Sequence, residues 1–202
     1  MATIEDVARR AGVARSTVSY ALSGKRSISA ETRRRIADSN MVDGIILLDV
    51  TADDPRLPAL RAVSKPGVLL GLPRDTASLD IVDLDFGEAA RLLVDHLNER
   101  GHRELVLVAP PEHVIERGGS YAWRFRDAAV ERAARYGLRI HVYHGESRQP
   151  GISRSMQSIL DAHPSATGLI VHNDATIAAL PSILRERGVS QHSREARGRA
   201  TR

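Results

Sequence analysis

The feature that most restricts the fold of this 202-residue chain is an alternation of short apolar runs with longer helical patterns. Each run has five or six residues, most of them aliphatic, which is typical of buried parallel strands. The runs are GIILLD at 44–49, GVLLGL at 67–72, ELVLVA at 104–109, LRIHVY at 138–143 and TGLIV at 167–171. Strands that alternate with helices predict an open, mostly parallel α/β sheet with helices on both faces.

Three helices of this α/β region have recognisable C-terminal ends. The patterns span roughly residues 86–100, 120–136 and 175–187, and a glycine follows each of them. Glycine is favoured there because the residue after a helix often takes a positive φ. The three glycines are Gly101, Gly137 and Gly188. Pro181 lies inside the third helix and should kink or split it, since proline lacks a backbone N–H.

The first forty residues show a different pattern, that of three short helices. Apolar residues recur at helical spacing from Ile4 to Ala11, and Gly12 permits a tight turn whose corner Val13 can fill. A second helix, from about Ala14 to Leu22, buries Val18 and turns its polar residues outward. Ser29 is a suitable cap for a third helix.

Two short helices crossed at a glycine turn are the geometry of a helix-turn-helix, whose second helix enters the DNA major groove. Arg15 can donate to guanine and Ser16 to either kind of base, with Tyr20 one turn later. Groups suited to phosphate contacts surround them. These groups are Thr17, Ser19, Ser29, Thr32 and Arg34. The alternative is a small three-helix bundle with a solvated basic face.

Charge is distributed unevenly along the chain. Residues 1–40 contain eight basic and four acidic side chains, and residues 191–202 contain four arginines and one glutamate. The net charge of the whole chain is only +4, so the residues between these two segments are net acidic. A basic head on an acidic body indicates that the head meets a polyanion such as double-stranded DNA.

Several function classes find no support in the sequence. Without cysteine there is no disulfide or thiolate site, and no apolar run approaches the ~20 residues of a membrane helix. The start of the chain lacks a signal peptide, so we expect a cytoplasmic protein without a membrane partner. Nucleophile-elbow, phosphate-loop and dinucleotide motifs are absent, which argues against an enzyme.

Two other patterns carry little chemistry by themselves. His141 and His144 form an H-x-x-H pair, but no carboxylate stands at helical spacing, so we expect solvated strand ends and no metal site. Asp83 and Asp85 alternate along a possible strand and are interpreted as loop aspartates, not as a catalytic pair. We therefore expect neither a cofactor nor a metal.

The head has a specific resemblance. Residues 3–36, TIEDVARRAGVARSTVSYALSGKRSISAETRRRI, resemble the DNA-binding headpiece of the lactose-repressor (LacI) family of bacterial transcription regulators. The resemblance implies base reading by Arg15, Ser16 and Tyr20. It implies phosphate contacts by Thr17, Ser19 and Thr32. Ala14 departs from the pattern, since the family usually has a serine that caps the recognition helix; that loss costs about 0.5–2 kcal/mol.

The body is similar to the effector-binding part of the same family, which has the fold of periplasmic sugar-binding proteins. The matching segments are VDGIILL, DFGEAARLLVDHLNERGHRELVLVAPP and LIVHNDATIAAL. The resemblance implies that Asp174 and Arg117 hold hydroxyls of a small effector such as a sugar or nucleobase. Tyr121 and Arg124 depart from the family pattern before Phe125.

The resemblance also shows what this chain omits. Asn40 runs directly into Met41, where the family has a hinge helix and then further strands and helices that supply dimer contacts and one wall of the ligand cleft. We interpret residues 1–40 as the DNA-binding domain and 41–190 as a partial effector domain. Residues 191–202 are then a disordered tail, either a basic arm or a foreign terminus. The homodimer of the family is in doubt here.

The function predicted from the sequence is a sequence-specific transcriptional regulator, a repressor, with an effector domain that is incomplete. The alternative is a sugar-binding α/β protein with a vestigial DNA-binding head.

Overall fold

The structure, a computed structural model, describes residues 4–18, 29, 31–32, 43–76 and 78–189. Its strands are β1 (Ile45–Leu47), β2 (Gly67–Leu70), β3 (Asp80–Val82), β4 (Glu104–Ala109), β5 (Arg139–His144) and β6 (Gly168–Val171). The helices whose bounds both lie in the described residues are α1 (Ile4–Ala11), α2 (Leu57–Arg61), α3 (Phe86–Glu99), α4 (Glu112–Glu116), α5 (Ser120–Arg135), α6 (Gly151–Ala162) and α7 (Asp174–Glu186). The predicted α/β class is confirmed.

The strands form two sheets, although the sequence pattern suggested one. The first sheet has the order β1-β2-β3 and the second the order β5-β4-β6, and every ladder is parallel. The sheets belong to different compact units, one formed by Met1–Asp85 with Arg117–Tyr121 and the other by Phe86–Glu116 with Ala122–Arg202. An apolar run identifies a buried strand but not its neighbours, so the pattern alone could not divide the strands.

The second unit is built around β4, which pairs with both β5 and β6 and is buried along its whole length. Leu105 and Leu107 of β4 pack against α3 and α5. The alternate residues Val106 and Val108 pack against α6 and α7. A central strand with helices on both faces has to be apolar at every interior position, which explains the continuous run of aliphatic residues.

The sheet of the first unit has its core on one face. Leu47 of β1 and Leu69 of β2 pack there against α2. The opposite face exposes apolar side chains from all three strands: Ile46, Leu70 and Val82 are 63%, 40% and 59% exposed. Within the described residues, therefore, this sheet has helical cover on one face only.

Helix ends follow the sequence prediction. At the end of α3, the N–H of Gly101 donates to the carbonyl of Asn98 and that of His102 to the carbonyl of Leu97. This pair of bonds is the Schellman motif. The same pair of hydrogen bonds follows α5, at Gly137, and α7, at Gly188.

Pro181 does not split α7, which is a continuous helix of 13 residues. The last turn of α7 carries two buried side chains, Ile183 and Leu184. Ile183 belongs to the core on the α6 side of β4. Burial of this turn holds the helix together across the proline, so the predicted split is wrong.

Four elements were not predicted from the sequence: β3, α2, α4 and α6. Strand β3 has only three residues, and α2 and α4 have five each, which is too short for a periodic pattern. Helix α6 buries Ile152, Met156 and Ile159 at a helical spacing of four and three residues. None of the helices in the described ranges is long and apolar enough to span a bilayer.

Candidate DNA-binding and ligand sites

The turn after α1 fixes the direction in which the next helix starts. Gly12 has a φ of 63°; its N–H donates to the carbonyl of Arg9 (3.3 Å), and the N–H of Val13 donates to the carbonyl of Ala8 (3.0 Å). This is again the Schellman pair, which places the residue after the glycine against the helix it ends. Val13 fills the corner as predicted, packing on the small core of Val7, Ala8, Ala11 and Val18.

The helix that follows the turn exposes its first residues. Residues 15–18 are helical, and the carbonyl of Ala14 accepts from the N–H groups of Thr17 (2.9 Å) and Val18 (3.3 Å). Val18 is only 1% exposed, whereas Arg15 and Ser16 are exposed. The predicted inward and outward faces of this helix are therefore confirmed over its first turn.

Arg15 has a weak partner in the structure. Its Nη1 lies 3.6 Å from Oε2 of Glu5, and both side chains are about two-thirds exposed, at 68% and 65%. Surface ion pairs of this kind contribute at most about 1 kcal/mol. Such a contact is readily exchanged for a hydrogen-bond acceptor on DNA.

Ser29 is placed as a helix cap. Its Oγ accepts from the N–H of Thr32 (3.2 Å), and its hydroxyl donates to Oγ1 of Thr32 (2.9 Å). The predicted capping role is confirmed. The other predicted DNA contacts of this region, Ser19, Tyr20 and Arg34, lie outside the described residues.

In the first unit, an internal ion pair shapes the loop that follows β1. The carboxylate of Asp54 accepts from the N–H groups of Thr51 (3.1 Å) and Arg56 (2.9 Å) and from the Arg56 guanidinium (2.8 and 2.6 Å). Burial by itself raises the pKa of Asp54, but the hydrogen bonds outweigh it and the pKa lies below its usual value. Arg56 also donates to the carbonyls of Leu48 and Asp49 (3.1 and 3.0 Å).

Arg117 lies beside this loop in the same unit. Its guanidinium donates to both oxygens of the Asp49 carboxylate, at 2.8 and 3.1 Å. The carbonyl of Gly118 accepts from the N–H of Ala52 (2.8 Å), and Oγ of Ser120 donates to the carbonyl of Leu72 (2.8 Å). These contacts hold residues 117–120 against the loops that follow β1 and β2. Ligands of α/β sheets bind outside this carboxyl edge.

Asp174 occupies the corresponding place in the second unit. It is the first residue of α7, just beyond the carboxyl end of β6, and it is exposed. Asn173 caps the helix, since its Oδ1 accepts from the N–H of Thr176 at 2.9 Å. The cap fixes the backbone that presents the Asp174 carboxylate.

His172, two residues before Asp174, packs its ring against two phenylalanine rings. The ring of His172 is 4.2 Å from that of Phe125 and 5.7 Å from that of Phe86, measured between centroids. The Arg124 guanidinium lies over Phe86 at 5.7 Å. Burial lowers the pKa of His172, and the charge of Asp174 opposes this shift. The lowered pKa favours the neutral ring, which suits its packing against the two phenylalanines.

The two predicted effector contacts belong to different units. Arg117 contacts Asp49 at the carboxyl edge of the first sheet, whereas Asp174 follows β6 of the second sheet. Their joint role in a ligand site stays a prediction. Sequence reasoning missed Asp49 and Asn173. Both come within two residues of the end of a predicted strand, so the carboxyl-edge rule alone would have selected them.

Comparison with known families gives two matches. Residues 3–38 match the model of the bacterial regulatory proteins of the lacI family. Residues 94–190 match the periplasmic binding protein-like domain.

Two curated relatives are HTH-type transcriptional regulators. AglR of Rhizobium meliloti is 31% identical over 160 residues, which is 75% of this chain and 42% of that protein. CelR of Thermobifida fusca is 26% identical over 169 residues, 82% of this chain and 48% of that protein. The chain thus spans about half the length of the curated relatives it matches.

Solved structures agree on the fold. A LacI family regulator from Bifidobacterium animalis matches with a TM-score of 0.66 and 24% identity, over 76% of this chain and 55% of that one. The transcriptional regulator CelR in complex with cellobiose matches with a TM-score of 0.57 and 20% identity, over 93% and 79% of the two chains.

A helix-turn-helix head followed by a periplasmic-binding-protein-like α/β region defines the class of this protein. The chain belongs to the LacI family of bacterial regulatory proteins.

Proposed function

We propose that this chain is a sequence-specific DNA-binding transcriptional regulator, a repressor that acts in the cytoplasm. The observation that carries the proposal is the exposed first turn of the helix after Gly12. There Arg15 and Ser16 face solvent while Val18 anchors the helix to the head's own core. This is the part of a recognition helix that meets base edges in the major groove.

Each exposed group has a distinct part in recognition. Arg15 exchanges its long contact with Glu5 for a bidentate contact with guanine O6 and N7, and Ser16 bonds a neighbouring base. Tyr20 reads a base one turn later. Thr17, Ser19, Ser29, Thr32 and Arg34 contact phosphates and set the register of the head on the duplex.

The α/β region binds a small polar effector such as a sugar or nucleobase. Support comes from Arg117 and Asp174, which lie just beyond the carboxyl ends of strands, where such ligands bind. The guanidinium donates and the carboxylate accepts in fixed directions, which suits hydroxyl groups. Two relatives of known structure have sugar ligands, cellobiose in one and D-xylulofuranose in the other.

The test is selection of DNA from a random pool by the full chain, followed by anisotropy with the enriched sequence. We expect one enriched motif and a log affinity that falls with log salt at a slope of about −0.9 per phosphate contacted. The control pair is Arg15→Ala and Arg135→Ala. Both variants lose one exposed arginine, but Arg135 lies on α5 and pairs with Glu131 at 2.5 Å.

Arg15→Ala should weaken binding to the selected motif while Arg135→Ala leaves it unchanged. Equal effects of the two substitutions would mean that only net charge matters. Absence of any binding at low salt would favour a ligand-binding protein whose head no longer functions.

A further inference from the structure

Three side chains that are distant in sequence meet near the start of β4. Glu104 is the first residue of β4, His141 lies on the neighbouring strand β5, and His163 directly follows α6. The register pairs Val106 with His141, and Glu104 stands two residues before Val106, so it lies on the same pleated face. This is the face that α6 covers, and the end of α6 brings His163 to the two strand residues.

The ligand atoms of the three side chains are close together. One oxygen of Glu104 and one nitrogen from each histidine all lie within 4.8 Å of one another. His141 Nε2 is 3.1 Å from Glu104 Oε1, and the two imidazole rings stack with centroids 3.8 Å apart. Two ligands of a tetrahedral zinc ion lie about 3.3 Å apart, given bonds of about 2.0 Å.

We propose that Glu104, His141 and His163 form a binding site for one divalent transition-metal ion, with Zn²⁺ as the best match. Two imidazole nitrogens and one carboxylate are a donor set that zinc uses when it keeps its fourth position open to water. Calcium and magnesium prefer all-oxygen sites, so they fit this set poorly.

Neighbouring groups orient the ligands as outer partners do in metal sites. The second carboxylate oxygen of Glu104 accepts from Ser165 Oγ (3.0 Å) and from Arg139 Nη2 (2.6 Å), which leaves Oε1 for the cluster. Tyr143 Oη lies 2.6 Å from Nε2 of His163. The hydrogen bonds to Glu104 fix the orientation of this carboxylate, and bonds of this kind strengthen metal binding.

An ion could reach the three side chains from solvent, but the His163 ring has to move to bind it. Glu104 is nearly buried, with 8% of its side chain exposed, while His141 is 33% exposed and gives solvent a path inward. The lone pairs of stacked imidazoles run side by side, so the His163 ring has to leave the stack for both nitrogens to reach one ion. His163 lies just beyond the end of α6, so its ring can turn and exchange the hydrogen bond with Tyr143 for a bond to the ion.

The cluster is separate from the proposed effector contact in the same unit. Asp174 follows the carboxyl end of β6, whereas Glu104 begins β4 at the amino edge of the same parallel sheet. Metal binding and effector binding are therefore independent predictions.

The test is a zinc titration of the full chain after chelator treatment and removal of the chelator. We expect one Zn²⁺ per chain, bound with a dissociation constant below about 10 µM in competition with a chromophoric chelator. Cobalt substituted for zinc should give the intense visible absorption bands of a four-coordinate ion, a readout that needs no variant.

His141→Gln and His163→Gln should each weaken zinc binding at least tenfold. His113→Gln, which removes an exposed histidine from α4, is the matched control and should leave the affinity within twofold. Far-ultraviolet circular dichroism of each variant checks that it is folded. No saturable binding by the wild type, or equal affinity in all three variants, would overturn the site.

Discussion

Gly145 offers a sharp test of how α7 is held, because the position has no room for a larger residue. A Cβ added at Gly145 would lie 2.5 Å from Nδ2 and 2.9 Å from Cγ of Asn173. Asn173 is the cap of α7, so its side chain cannot move away without losing the hydrogen bond to Thr176. Gly145→Ala should therefore cost about 1–3 kcal/mol, through loss of the cap if Asn173 moves or through overpacking if it stays.

The double variant isolates the cause. In the background of Asn173→Ala the clashing atoms are gone, and alanine has less unfolded-state entropy than glycine, a gain of about 0.4–1 kcal/mol. A close contact of 3.2 Å with the carbonyl oxygen of Ala109 remains. The added cost of Gly145→Ala in that background should thus fall to within about 1 kcal/mol of zero.

The assay is urea unfolding followed by the fluorescence of Trp123, the only tryptophan of the chain, which lies on α5 in the same unit. Neighbouring sites of this kind should show strong non-additivity. If the free-energy changes of the two single variants simply add in the double variant, the steric account of Gly145 is wrong.

Three further predictions follow from the head, the first unit and the junction. Arg34→Ala should weaken binding to all DNA sequences alike, whereas Arg15→Ala should relax base preference by roughly 1–3 kcal/mol at one position; competition anisotropy with single-base variants distinguishes them. The pKa of Asp54 is lower in the folded protein, so its contribution to stability is present above the unfolded pKa of 3.8 and is lost as pH falls through the folded pKa. Asp54→Asn should therefore flatten the dependence of the urea midpoint on pH in that acidic range. An unchanged profile would refute this. If the hinge and dimer elements are missing, as the resemblance implies, the chain should bind a half-site about as well as a full palindrome, because linkage of two heads about 34 Å apart is lost. Sugars or nucleobases should then leave DNA binding unaltered. A hundredfold preference for the palindrome, or a tenfold shift on adding a ligand, would contradict the expected loss of coupling.

The sequence predicted those features that depend on neighbouring residues. The run ELVLVA became β4 with the same bounds, 104–109, because a strand buried on both faces leaves an unbroken apolar signature. The turn at Gly12 was predictable for a similar reason: a positive φ excludes most other residues, and Val13 has one place to pack.

Contacts between distant residues were not predictable in this way. Arg117 pairs with Asp49, which is 68 positions away, and no spacing rule links the two. The expectation that His141 lacks a carboxylate considered only helical spacing, whereas Glu104 reaches it from the neighbouring strand. The sequence did not predict that the strands divide between two sheets, for the same reason: the apolar pattern of a strand does not identify its pairing partner.

Pro181 has a consequence for how α7 opens. Proline has no N–H, so the carbonyl of Ile177, four residues earlier, receives no helical hydrogen bond from it. Ile177 itself is half-exposed, at 50%. The last turn stays anchored by the burial of Ile183 and Leu184. The middle of α7 therefore has one backbone hydrogen bond fewer than a helix without proline, and amide hydrogen exchange should be faster at residues 178–180 than at residues 183–186, whose turn is anchored by buried side chains.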